Sequence, residues 1–182
     1  MTVDALADDV CLRDGLKVSF RPVRVDDEPA ILEFLTRLSA ESRRRRFFSG
    51  AIDLRRETHR EMAGEAIDHH GLLASAADRG VIAHGIYMRE PSSARAEIAV
   101  EVDDDFHHLG LATQLVIRLA QHAEDRQITT FFAEVLPENR DMLAVFRDAF
   151  ATTSVTGPDA IEVEFPTSGW RAASAHFQSA RP

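Results

Sequence analysis

The stretch "AEIAVEVDDDFHHLGLATQLVIRLAQHAED", residues 96–125, decides how this chain is read. Apolar and polar residues alternate over 96–102, the period of a strand with one buried face. Asp103, Asp104 and Asp105 follow, then small residues at Gly110 and Ala112, and from about 110 to 125 the pattern is that of a helix. A strand therefore turns into a helix where the side chains are smallest. The first turn of a helix leaves backbone N–H groups unpaired and partly positive, which suits a diphosphate if side chains let it approach. Gly110 and Ala112 permit that approach, Thr113 adds a hydroxyl, and His107 and His108 add donors. The plainer reading is a turn glycine followed by a helix former. The three aspartates repel an anion unless they point away.

Upstream, "VCLRDGLKVSF" (10–20) is two β-prone runs around Asp14-Gly15, a dipeptide suited to a two-residue hairpin turn. "VDDEPAILEFLTRLSAESRRRRFF" (25–48) predicts one helix, with Pro29 near its start and apolar Ile31, Leu35 and Leu38 in register. It ends in Arg43, Arg44, Arg45 and Arg46, which complement a helix C-terminus or, alternatively, grip an anion. Residues 51–68 predict a less regular helical stretch. "GLLASAA" (71–77) and "GVIAHGIYM" (80–88) complete an antiparallel meander with 96–102. Downstream come a strand, "TTFFAEVL" (129–136), a helix over about 139–149, and strand-like runs at 152–156 and 160–165. The expected class is α/β (α+β), a mixed, mostly antiparallel twisted sheet flanked by helices. One domain over 1–168 is expected, with a loosely packed tail, 169–182, whose Trp170 and Phe177 offer docking groups for the body of the domain or a neighbour.

Composition narrows the function. The chain of 182 residues carries 21 Lys plus Arg against 30 Asp plus Glu, a formal net charge of -9, which disfavours nucleic acid and favours a cationic partner. Cys11 is the sole cysteine, so no intramolecular disulfide forms. The opening "MTVDALADDV" lacks a basic and apolar leader and no run approaches a membrane span, so the expectation is a cytoplasmic protein without membrane contact. No metal is expected, because His69-His70 and His107-His108 lack supporting ligands at metal-site spacing. A nucleotide P-loop is absent, and the dinucleotide fingerprint fails for want of its first glycines.

With "FFAEVLPENRDMLAVFRDAF" (131–150) read beside the opening stretch, the chain resembles the GNAT superfamily of acetyl-CoA-dependent N-acyltransferases over roughly residues 10–150. The family's phosphate signature falls on His107, His108, Leu109, Gly110, Leu111 and Ala112. The stretches "DDVCLRDGLKVSFRPVRVDDE" (8–28) and "LSAESRRRRFF" (38–48) also resemble bacterial protein-lysine acetyltransferase domains. The resemblance implies a GNAT-like fold and acetyl-CoA, or another acyl-CoA, as co-substrate. It implies binding of the diphosphate by residues 107–113, of the pantetheine arm by backbone groups near Val100 and Val102, and a contact from Asn139, which is equally a helix cap. His107 stands where Gln or Arg is usual, Ala149 where Gly is common, and Phe146 where many relatives carry a tyrosine acid. Water or the product ammonium must then protonate the leaving thiolate. The sole tyrosine, Tyr87, reads as a partly buried packing residue.

An amine must lose a proton before it attacks a thioester. For lysine only about one molecule in 10³ is neutral at pH 7, a cost of roughly 4–5 kcal/mol. Glu97 and Glu101 alternate onto one strand face with Ala99, while Ile98, Val100 and Val102 take the other, so two carboxylates are candidate bases. By the resemblance Glu97 holds the base position, with Glu101 assisting through water or drawing in a cation; the plain reading of either is an idle strand glutamate. The acceptor is expected to be a primary amine, foremost a protein lysine. A small amine, and an acyl-CoA-binding regulatory domain without catalysis, remain alternatives, and a homodimer is left open.

Overall fold

The computed structural model describes residues 8–12, 15–48, 53, 68–150 and 152–179, with backbone alone at 149 and 176–179. Eight strands form one sheet: β1 Asp8–Cys11, β2 Lys17–Pro22, β3 His69–Ala76, β4 Gly80–Arg89, β5 Arg95–Val102, β6 Thr130–Val135, β7 Thr153–Thr156 and β8 Ile161–Pro166. Their order is β1-β2-β3-β4-β5-β6-β8-β7. Neighbours run antiparallel except β5 and β6, which are parallel because a helix carries the chain from one to the other. That helix is α3, Leu111–Glu124; the other helices among the described residues are α1 Glu28–Arg37, α2 Ala40–Phe47, α4 Arg140–Ala149 and α5 Trp170–Ser179.

Strand alternation divides the apolar side chains between two faces. On one, Leu115 and Leu119 of α3 and Phe146 of α4 pack on Leu72, Phe131 and Phe165 of the sheet. On the other, Ile31, Phe34 and Leu35 of α1 cover Val23, Leu73 and Val81. The antiparallel meander β3–β4–β5 is as the alternation predicted. The first hairpin is closed by the Leu12 N–H donating to Leu16 O at 2.8 Å, with Gly15 at φ 86°, a conformation glycine adopts without strain. Asp14, the other half of that turn, and the helix expected over 51–68, Asp53 apart, lie outside the described residues.

Two expectations are corrected. The helix expected over 25–48 is two helices. Leu38 leaves the helix at ψ 141°, and the Ser39 side chain accepts the Ser42 N–H at 3.0 Å to cap α2. The tail expected to pack loosely instead forms α5 with Ala173 buried, while Trp170 docks on the body of the domain, one of the two placements expected for it, its Nε1–H donating to Glu124 at 2.8 Å. Phe177's side chain lies outside the described residues. Among them, no helix is long and apolar enough to cross a membrane.

Candidate active site

β5 and β6 pair only at Arg95–Thr130, Ala96–Phe131 and Glu97–Phe132, and then part, although β5 runs on to Val102 and β6 to Val135. The ladder on the other side of β5 continues through Val102. Since the Asp103 N–H donates to Ile82 O, the alternating ladder turns the polar groups of Val100 and Val102 away from β4, into the gap between the diverging strands. The Val102 carbonyl is met there by His107 Nε2 at 3.1 Å.

At the end of β5 the chain passes through a single 3-10 turn, Asp104–Phe106, and reaches α3. His108 at φ 63° and Gly110 at φ 86° reverse the backbone tightly. Gly110 is the N-cap and supplies no side chain, so the first N–H groups of α3, at Leu111, Ala112 and Thr113, have no side-chain cap. The first intrahelical bond runs from the Gln114 N–H to Gly110 O. The aspartates are engaged elsewhere. Asp103 is buried and accepts from Arg37 at 3.4 Å, Asp104 accepts from the Ser39 N–H and from the Ser39 and Ser42 hydroxyls, and Asp105 pairs with Arg79. These residues therefore fit a diphosphate: free amides at a helix start, small side chains, and nearby carboxylates turned to partners of their own.

The two glutamates of β5 differ sharply. Glu97 is half-buried at the last paired position of β5 and β6, opposite Phe132, and among the described residues its carboxylate has no hydrogen-bond or ion-pair partner. Glu101 is buried. Its Oε2 accepts Arg46 Nε–H at 2.7 Å and its Oε1 accepts the Nδ1–H of His84 at 2.7 Å. Burial alone would raise its pKa, but the Arg46 and His84 charges and hydrogen bonds outweigh burial and hold it below the ordinary range. The alternation showed that Glu101 shares a face with Glu97; nothing within 96–125 showed that α2 covers it.

Asn139 is the N-cap of α4, its Oδ1 accepting the Met142 N–H at 3.3 Å. Beside it Glu138 pairs with Arg44 at 2.6 Å. Phe146 lies in the core against Phe165, ring centroids 5.1 Å apart. Tyr87 is fully rather than partly buried, its hydroxyl 3.0 Å from His122 Nδ1, and burial raises its pKa to about 12. His122 stacks on His70 at 3.5 Å. The arginine run grips carboxylates of the chain itself: Arg44 and Arg45 pair with Glu41, Arg44 also with Glu138, and Arg46 with Glu101. Among the described residues no group of three or more His, Cys, Asp or Glu could hold a metal ion.

The model of the acetyltransferase (GNAT) family matches residues 33–150. The GNAT domain of S. lividans PAT is 31% identical, with a TM-score of 0.82 over 91% of this chain and 99% of that one. A cAMP-binding acyltransferase from Mycobacterium smegmatis, 22% identical, shares the fold over 96% of this chain at a TM-score of 0.61; the match covers 55% of that protein. A putative acetyltransferase from Salmonella typhimurium, solved with its cofactor acetyl-CoA, is 14% identical and shares the fold at a TM-score of 0.66 over 82% of this chain and 94% of that one.

Proposed function

From the premise that this chain belongs to the GNAT family of acetyltransferases, we propose that it moves an acetyl group from acetyl-CoA to a primary amine, the side chain of a protein lysine. The observation that carries the reading is the parting of β5 and β6 immediately beside an uncapped helix start, with the Glu97 carboxylate, unpartnered among the described residues, at the fork. Bound acetyl-CoA supplies the activated thioester and a thiolate leaving group. The amides of Leu111, Ala112 and Thr113, with the turn His107–Gly110, hold the diphosphate. Backbone groups of Val100 and Val102 face the gap, where a fixed N–H stabilises the charge that develops on a thioester oxygen.

Glu97 takes the proton from the incoming ammonium. Three residues of strand, roughly 10 Å, separate its backbone from that of Val100, so the proton travels through water rather than by direct contact. Phe146 has no proton to return, and the Tyr87 hydroxyl is buried against His122 with a pKa near 12. Water or the product ammonium therefore protonates the thiolate. Asn139 caps α4 with its oxygen, which leaves its amide nitrogen for the cofactor arm.

The choice of protein lysine rests on the acidic balance of the chain, -9, and on its likeness to the GNAT domain of S. lividans PAT. It is tested by release of CoA thiol from acetyl-CoA with a lysine-peptide pool and a panel of small amines. Turnover with peptides is expected. Turnover with small amines alone would transfer the assignment to them, and binding without turnover would leave an acyl-CoA-binding domain. Gly110→Trp fills the turn and should abolish acetyl-CoA binding in a protein of unchanged circular dichroism; undiminished affinity in that variant would remove the diphosphate from this turn.

A further inference from the structure

α2 is an unusual helix to find at the edge of an active site. Its sequence, AESRRRRF, contains no buried residue, and Phe47, half-buried beside the core under α1, is its one apolar anchor. Apolar packing normally fixes a short helix in place. Here polar ties contribute: Arg43 donates to Leu38 O at the end of α1, and three further ties lead to elements of the candidate site. At its start, Ser39 and Ser42 bind Asp104, in the turn that leads to the α3 amides. At its end, Arg46 reaches Glu101 on β5, and Arg44 reaches Glu138 in the loop after β6. α2 thus joins the two strands that part.

The tie to Glu101 is the buried one. The Glu101 side chain is 3% exposed and that of Arg46 15% exposed, and His84, on the adjacent β4, closes the other carboxylate oxygen. A buried carboxylate with both oxygens engaged is stable as an ion only while its partners stay, and removing one leaves an uncompensated charge. Glu97 and Glu101 share a face, four residues or roughly 13 Å apart along the strand, with Ala99 between them. Among the described residues, the part of that face at Ala99 is flanked by Glu97 at one end and by α2, standing on Glu101, at the other.

We propose that Glu101, Arg46 and His84 form a positioning lock that holds α2 as the far wall of the acceptor site, so that Glu101 governs acceptor binding without taking part in proton transfer. The identification of that space as the acceptor site rests on the proposed function; the lock itself does not. The acceptor it suits is an amine at the end of an unbranched chain, which passes over the small side chain of Ala99 to reach Glu97.

The test compares Glu101→Gln, Arg46→Gln, Arg46→Lys and the double variant Glu101→Gln/Arg46→Gln with the full wild-type chain. Hydrogen exchange without substrate reads the lock: amides of residues 40–47 should exchange at least about tenfold faster in both Gln variants, with those of 111–124 unchanged. Arg46→Lys keeps a cation and should recover part of the protection, and the double variant should open α2 no further than the worse single one. In turnover, acceptor KM should rise about tenfold, while kcat and the acetyl-CoA Kd stay within about twofold. Unchanged exchange at 40–47 overturns the lock whatever the enzyme acetylates. A fall in kcat of about 10² or more at unchanged acceptor KM would make Glu101 a catalytic residue instead. If wild type turns over no amine, the proposed function fails, while the exchange data still decide whether the lock exists.

Discussion

α3 and α2 border the same gap and are held by opposite means. Ten of the fourteen residues of α3 are buried, and Leu115 and Leu119 seat it on the sheet; none of the eight residues of α2 is buried, and its ties run to Asp104, Glu101 and Glu138. Apolar burial is non-directional and cumulative, so a helix seated that way resists single changes on its exposed side. A helix held by a few directional bonds moves when one of them is lost. The difference suits a division of labour. The diphosphate needs amides that stay where they are, and the wall beside an arriving amine gains from being adjustable. The α3 side should therefore govern cofactor affinity and global stability, and the α2 side acceptor affinity.

The largest expected effect lies at Glu97, where the two sides meet. Glu97→Gln keeps the shape and removes the base, so turnover at neutral pH should fall by about 10² to 10⁴. Part of it should return at higher pH, as more of the amine is already neutral. Acetyl-CoA affinity, measured by calorimetry, should not change, because the diphosphate is held by α3. A variant that loses cofactor affinity together with turnover breaks the division. Near-wild-type turnover at every pH makes Glu97 a bystander.

The two faces also treat buried histidines differently. His84 hydrogen-bonds a carboxylate on the α2 side. On the α3 side His122 and His70 stack in a cluster with Tyr87, and burial, joined by neighbouring positive charge, lowers them to about 3 and about 4. Their folded-state values lie below the unfolded value of about 6.5, so the unfolded chain binds the extra protons. Stability from this cluster is complete above about pH 6.5 and is lost as pH falls from there, towards about 4 for His70 and about 3 for His122. His122 alone should contribute on the order of 2 kcal/mol of this loss by pH 5. His122→Gln retains a hydrogen-bonding group for Tyr87 but does not titrate. Urea unfolding at pH 7 and pH 5 should show a smaller loss in that variant than in wild type; equal losses would place the titrating group elsewhere.

What could be read from the chain follows the same division. α3, its turn, the alternation of β5 and the downstream strand-helix order are local patterns, legible because every residue that sets them lies within 96–150. The break before α2 was missed although "LSAES" carries a serine cap with Glu41 in the first turn, a recognisable helix start, because continuous helical spacing up to Leu38 outweighed it. Other features had no local signal. Ser39 and Asp104 are separated by 65 positions, and Arg46 and Glu101 by 55, so the burial of Glu101 and the hydrogen bonding of Asp104 appear only once the sheet has brought α2 over β5. The full burial of Tyr87 has no local signal for a related reason, since its partner His122 comes from a helix 35 residues away.

The smallest effect is the sharpest test of how α2 is held. Ser39 does two things at once: its Oγ accepts the Ser42 N–H, capping the helix, and its hydroxyl and backbone N–H both donate to Asp104, at 2.9 Å each. Ser39→Ala removes the cap and one donor, and should cost about 1 kcal/mol. Because α2 has no buried residue, that cost should appear as local opening, with faster exchange at 40–47 and unchanged exchange at 111–124. Cap and tie are then separable. Ser39→Thr keeps both and should behave as wild type, whereas Ser39→Asp is an equally good cap that sets a second carboxylate against Asp104. If capping alone holds the helix start, the Asp variant restores protection. If the tie to Asp104 matters, repulsion leaves it as open as Ser39→Ala or more so, and acceptor KM rises with it while the acetyl-CoA Kd does not.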